Sequence, residues 1–105
     1  MLKEAQTQLH TVRDVLRYAV TRFTTARLSY GHGSTNAYDE AAYLILHTLH
    51  LPLDTLEPFL DARLLTSEIN TVLHIIERRV ELRVPAAYLT NEAWLGDYRF
   101  YVDQR

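Results

Sequence analysis

The sequence predicts a mainly α domain: a small four- to five-helix bundle followed by a C-terminal β-hairpin. Three observations point there. Apolar residues recur at three-and-four spacing in separate stretches, as they do on the buried face of a helix. The chain of 105 residues has only three glycines and three prolines, and most of them fall where one such stretch stops and the next starts. Beyond Pro85 the spacing gives way to an aromatic and β-branched run around a Gly-Asp pair.

The first helix is read from Leu9 to Ala26, with Leu9, Val12, Leu16, Ala19, Phe23 and Ala26 on one face. Arg13, Arg17 and Arg27 edge its polar side. The stretch "SYGHGSTN" is expected to stop it, because Gly31 and Gly33 are weak helix formers and good terminators. A second helix should start at Asn36 as N-cap, with Asp39 and Glu40 in the first turn where the helix dipole favours negative charge. Ala37, Ala41, Leu44, Ile45 and Thr48 keep its period, and Pro52 is expected to end it.

A short third helix is read in "PLDTLEPFLDARLL", opened by Asp54 and made irregular by Pro58. The fourth carries the cleanest stripe: Leu65, Ile69, Val72, Leu73, Ile76, Val80 and Val84, with Thr66 or Ser67 as N-cap and Pro85 as stop. It places Glu77 with Glu81, and Arg79 with Arg83, as like charges at i,i+4, which weakens an isolated helix. Partners from outside that helix are therefore expected.

In "AWLGDYRFYV" the Gly96-Asp97 pair suits a two-residue hairpin turn. Leu95, Tyr98, Phe100 and Val102 would share one face, and Trp94, Arg99 and Tyr101 the other, so neither face is plainly a solvent face. An isolated hairpin is marginal in water and must pack on something. Its position at the very end of the chain leads to the expectation of a piece of a longer protein. The division expected is a helical unit over residues 1–88 and a hairpin connector over 89–105.

Composition narrows the function classes. About half the residues are apolar and about a quarter charged, ordinary for a globular protein. The formal net charge of −2 provides no global field toward nucleic acid. No cysteine is present, which excludes disulfides and thiolate metal sites. The N-terminus "MLKEAQTQLH" lacks the apolar core of a signal peptide, and the longest apolar run, "AAYLIL", cannot span a membrane, so the expectation is a cytoplasmic protein with no membrane contact.

Site motifs are sparse. His47 and His50 could share a helix face, but no further ligands follow at zinc spacing, and no metal site is expected. "GHG" has the first half of a dinucleotide fingerprint, yet it follows a helix and lacks the third glycine. Asp39 and Glu40 are neighbours on a helix and cannot converge on one bond as paired catalytic carboxylates do. From the residues alone the chain is a helical domain with no catalytic constellation.

The stretch "RRVELRVPAAYLTNEAWLGDYRFYVDQR" resembles the segment joining the helical N-terminal domain to the catalytic domain in the HemK/PrmB family of protein-glutamine methyltransferases. The family pattern, R-x-P-x-x-Y-[IL], then an aromatic, a turn and F-x-V, is met by Arg83, Pro85, Tyr88, Leu89, Trp94, Phe100 and Val102. "YGHGSTNAYDEA", "LHLPLD" and "YLTNEAW" resemble the branch that modifies the third protein of the large ribosomal subunit. The resemblance runs from about Val12 to the last residue.

This resemblance implies an enzyme that moves a methyl group from S-adenosylmethionine to a glutamine side-chain amide. The family's cofactor loop and Asn-Pro-Pro-Tyr motif have no counterpart here, so these 105 residues are expected to hold no cofactor and to be inactive alone. Their expected work is to recognise a large-subunit ribosomal protein, with ribosomal RNA nearby, and to position the catalytic domain. Tyr30, His32 and Asn36 in the glycine loop, and Arg13, Arg17 and Arg27 as a basic edge, are the recognition candidates. Arg83, Tyr88 and Trp94 are the interdomain candidates, since large aromatic side chains position a ribbon firmly. The rival reading is a freestanding helical interaction module without enzymatic activity.

Overall fold

The computed structural model describes residues 2–30, 36–86 and 89–90. Among them are four α-helices, α1 Leu2–Gln8, α2 Val12–Thr25, α3 Ala37–Thr48 and α4 Thr66–Leu82, with one 3-10 turn at Glu57–Phe59. There is no strand among these residues beyond a single antiparallel bridge of Thr11 with Arg63. The mainly α expectation holds. The hairpin expected around Gly96-Asp97 lies outside the described residues.

The single helix read from Leu9 to Ala26 is corrected. Thr11 is an N-cap with extended backbone, so α2 starts at Val12, and Leu9 and His10 lie between that cap and the separate helix α1. Its hydroxyl accepts from Asp14 N–H at 3.1 Å, while Asp14 Oδ2 accepts from Thr11 N–H at 3.0 Å and from His10 N–H at 2.8 Å. This closed capping box satisfies helix-end donors reciprocally. The donated N–H of His10, reinforced by that of Thr11, holds the Asp14 carboxyl below its usual range against the opposing effect of burial. The next two donors are met from across the chain: Val12 N–H reaches Ala62 O at 3.2 Å and Arg13 N–H reaches Leu60 O at 2.8 Å. Apolar periodicity runs straight through the cap, because Leu9, before the break, is partly buried against the same core as Val12 and Leu16 after it.

α2 ends before the glycines expected to stop it. Arg27 takes a left-handed conformation, φ 55°, and Leu28 N–H returns to Phe23 O while Arg27 N–H returns to Thr24 O. These are the paired bonds of a Schellman ending, with Leu28 and Phe23 both in the core as its apolar contact. α3 closes the same way: His50 has φ 60°, its N–H reaches His47 O, and Leu51 N–H reaches Leu46 O, so the helix is already over before Pro52. α4 ends at Arg83, φ 56°. Among the described residues, all three positive-φ residues other than glycine thus terminate helices. A Cβ disfavours this conformation, so His50→Gly is expected to stabilise the chain by about 0.5–1 kcal/mol, seen as a higher urea midpoint at unchanged slope.

Two further boundaries move. The third helix is only the 3-10 turn, entered from Leu56 rather than opened by Asp54, with Pro58 inside it. α4 is capped by Leu65, not by Thr66 or Ser67; Leu65 is 67 % exposed and so leaves the stripe to which its spacing assigns it. Leucine has no acceptor to complete a capping box, but Glu68 Oε1 accepts from Leu65 N–H at 2.8 Å. From Ile69 the stripe is as read: Ile69, Val72, Leu73 and Ile76 are buried, with Val80 and Val84 partly so.

The core lies where α2, α3 and α4 pack on one another, and α1 adds its contact to α4. Val12, Val15, Ala19 and Phe23 face Ala41, Leu44 and Ile45, closed by the α4 stripe. Past Pro85 the core continues: Ala86 and Leu89 belong to it, and Leu89 N–H returns to Pro85 O at 3.3 Å in helical geometry.

Candidate functional site

The i,i+4 arginines of α4 find partners in other parts of this chain, and those partners lie around the turn from α2 to α3. Arg79 is fully buried, and Glu40, in the first turn of α3, is 1 % exposed. Arg79 Nε donates to Glu40 Oε2, and Arg79 Nη2 donates to Ser29 O at 2.5 Å. The guanidinium carbon stands over the Tyr30 ring, 5.8 Å from its centroid, a cation–π geometry. The remaining nitrogen, Nη1, is buried and finds no hydrogen-bond partner among the described residues. One turn on, Arg83 Nη2 donates to Ala26 O at 2.9 Å and Arg27 O at 3.2 Å, the free carbonyls at the end of α2.

Glu40 is the residue that sequence reasoning placed too simply. Its helix-start position is as expected, but the carboxylate is turned inward, and an ion pair between residues 39 apart leaves no local signal. The like-charge spacing of Arg79 and Arg83 was the one hint, and it asked for partners without naming them. Tyr30, partly buried, has its phenol raised above the ordinary range by burial, with the Glu40 charge adding to the effect. Asn36 is exposed and serves as the α3 N-cap, its Oδ1 accepting from Asp39 N–H at 2.8 Å. His32, Tyr88 and Trp94 lie outside the described residues.

Of the basic candidates, Arg13 and Arg17 stand one turn apart on α2, both exposed. Arg13 Nε meets Asp61 Oδ1 at 3.1 Å, and Arg17 Nη1 donates to Thr21 Oγ1 at 3.0 Å. They line a shallow groove of about 350 Å³ with Leu16, Val20, Tyr38 and Leu60. Arg27 stands past the far end of α2, beyond its last turn. The structure therefore brings Arg13 and Arg17 together, joins Tyr30 to Arg79, and sets Arg27 beside Arg83.

A second charged cluster braces α2 against α4. Arg22 Nε and Nη2 donate to the two oxygens of Glu77 at 2.9 and 2.5 Å, and Tyr18 OH adds a bond to Oε2 at 3.1 Å. The Arg22 hydrogen bonds hold the Glu77 carboxyl below its ordinary 4.5, against the opposing effect of burial. A lowered carboxyl contributes stability above its unfolded value and loses it as pH falls through the folded one. Glu77→Gln is thus expected to flatten the loss of stability on acidification below about pH 4.5, read from urea midpoints across that range.

Among the described residues, no three His, Asp or Glu side chains gather to hold a metal ion, and no helix is long and apolar enough to cross a membrane. His47 is partly buried with its ring 5.9 Å from that of Tyr43, while His50 is exposed past the helix end.

The chain is similar over nearly all its length to one class of proteins, the protein-glutamine methyltransferases. The particular relatives are ribosomal protein uL3 glutamine methyltransferases. That of Burkholderia pseudomallei (strain K96243) is 68 % identical over 99 residues, 94 % of this chain and 32 % of the relative. That of Neisseria meningitidis serogroup A is 60 % identical over all 105 residues, 35 % of the relative, and that of Xanthomonas campestris pv. campestris is 49 % identical over 105 residues, 34 % of the relative. The chain spans about a third of the length of these curated relatives. No family model and no solved structure matches it.

Proposed function

We propose that this chain is the N-terminal, substrate-recognising domain of a cytoplasmic S-adenosylmethionine-dependent methyltransferase that methylates a glutamine side-chain amide of ribosomal protein uL3. The observation carrying this reading is identity of 49–68 % across 93–100 % of the chain with enzymes of that name, about three times its length. That difference in length disfavours the freestanding interaction module.

An amide nitrogen is a weak nucleophile because its lone pair is delocalised into the carbonyl, so transfer depends on orientation and hydrogen bonding at the amide. S-adenosylmethionine supplies the methyl group. This chain has no Asn-Pro pair and no glycine-rich loop after a strand, so its residues are read as forming no part of the cofactor cradle. Their work is binding. Tyr30, His32 and Asn36 at the α2–α3 turn would read the protein substrate, and Arg13, Arg17 and Arg27 would favour nearby ribosomal RNA. Arg83, Tyr88, Trp94 and a hairpin connector following the helical residues Leu89 and Thr90 would set the catalytic domain.

The test uses the full-length protein. Incubated with S-adenosylmethionine and uL3, it should yield methylated glutamine by peptide mass spectrometry; no transfer to any ribosomal protein rejects the reading. Tyr30→Ala and His32→Ala, combined with the cap-preserving Asn36→Ser, are expected to raise KM for uL3 at least about fivefold with cofactor binding unchanged. Unchanged substrate kinetics would return the turn to a purely structural role.

A further inference from the structure

The two sides of the α2–α3 turn are held by one side chain. Arg79 Nη2 fastens Ser29 O, its guanidinium face covers Tyr30, and its Nε fastens Glu40. Ser29 and Tyr30 precede the turn, while Asn36 caps and Glu40 begins the helix that follows it. The planar guanidinium fork is what lets one residue serve a carboxylate, a carbonyl and a ring at once; an ammonium could satisfy the charge but not the geometry.

Stability is a poor reason for such an arrangement. A buried ion pair is commonly replaceable by apolar side chains at no loss, and among the described residues Arg79 Nη1 is buried with no partner to offset its desolvation. What apolar packing would not supply is direction. Charge-assisted hydrogen bonds to Ser29 and Glu40 hold the two flanks of the turn at a fixed separation and so orient the residues beside them, Tyr30 and Asn36.

We infer that Arg79 is a positioning residue for substrate recognition, fixing both flanks of the α2–α3 turn without touching the substrate. The inference rests on the proposed function, so its test has one arm that does not. In the full-length protein, Arg79→Lys and the apolar double replacement Glu40→Leu with Arg79→Met are compared with Ile76→Val, which thins the same core away from the turn. Hydrogen exchange at the Leu28, Asp39 and Glu40 amides should quicken at least about tenfold in the first two and stay unchanged in Ile76→Val. Unchanged exchange at those amides in a folded Arg79 variant overturns the inference.

The kinetic arm measures methyl transfer to uL3. Arg79→Lys and the double variant should raise KM for uL3 about tenfold while kcat and KM for S-adenosylmethionine stay within about twofold. A KM for uL3 at the unaltered value in both variants, or an equal rise in Ile76→Val, overturns the positioning role. Failure of the unaltered protein to methylate uL3 rejects the proposed function instead, and the exchange arm then decides what Arg79 does.

Discussion

Glu40→Leu is expected to destabilise the fold by about 3–5 kcal/mol, because it strands the Arg79 guanidinium in the core without its carboxylate. Set against the roughly 5–15 kcal/mol that holds a typical domain together, this single change removes a large share of the stability, and at the lower end of that range it leaves the chain near its unfolding midpoint. Replacing both partners, Glu40→Leu with Arg79→Met, should recover most of the loss, since no charge is then left buried. Urea unfolding of the two variants measures the contrast. Equal losses in the single and double variants would mean that packing, not charge, dominates at this point of the core.

Phe23→Ala should cost a similar about 3–5 kcal/mol, for a different reason. Phe23 is fully buried, and it sits at the end of α2 where its carbonyl accepts Leu28 N–H and its ring meets Leu28 in the core. Truncation removes apolar area and leaves a cavity that the crossing of α2, α3 and α4 cannot collapse to fill. Phe23→Leu keeps most of the volume and should cost no more than about 1.5 kcal/mol. A fall in urea midpoint at constant slope identifies lost stability; a changed slope would point to an altered compactness of the unfolded or native state.

Both side chains are buried, and their effects on recognition would be indirect. The Glu77 brace and the His50 helix end act on smaller scales. Together they separate the contributions of charge, cavity and backbone conformation in a domain whose core draws on three helices.

What could be read locally was read well. The α4 stripe from Ile69 to Ile76 follows from a repeat within one element, and the Asn36 cap from a side chain bonding an amide three residues on. Local reading failed where two local signals compete. Leu65 has the spacing of a core residue and occupies a cap, and Leu9 has the spacing of α2 but precedes the Thr11–Asp14 box that starts it. In both cases the hydrogen-bonding needs of a helix end outweighed the apolar period. The T-x-x-D spacing at 11–14 was the available sign of the break.

The helix endings show the same competition from the other side. Glycine is the usual left-handed terminator, so Gly31 and Gly33 looked like the end of α2; the chain instead turns at Arg27, where Leu28 can be buried against Phe23. Burial of Leu28 offsets the unfavourable conformation of Arg27, and nothing short of the packed core discloses that exchange.

The amino-acid order alone was sufficient for the helical class, the buried faces of α2, α3 and α4, the α3 cap and the likeness to glutamine methyltransferases, because each is written in neighbouring residues or in a contiguous pattern. The inward turn of Glu40, the shared hold of Arg79 on Ser29, Tyr30 and Glu40, and the Arg22–Glu77–Tyr18 brace arose only on folding. Each joins residues tens of positions apart, and a charge on a helix face acquires its partner only when a second helix is packed against it.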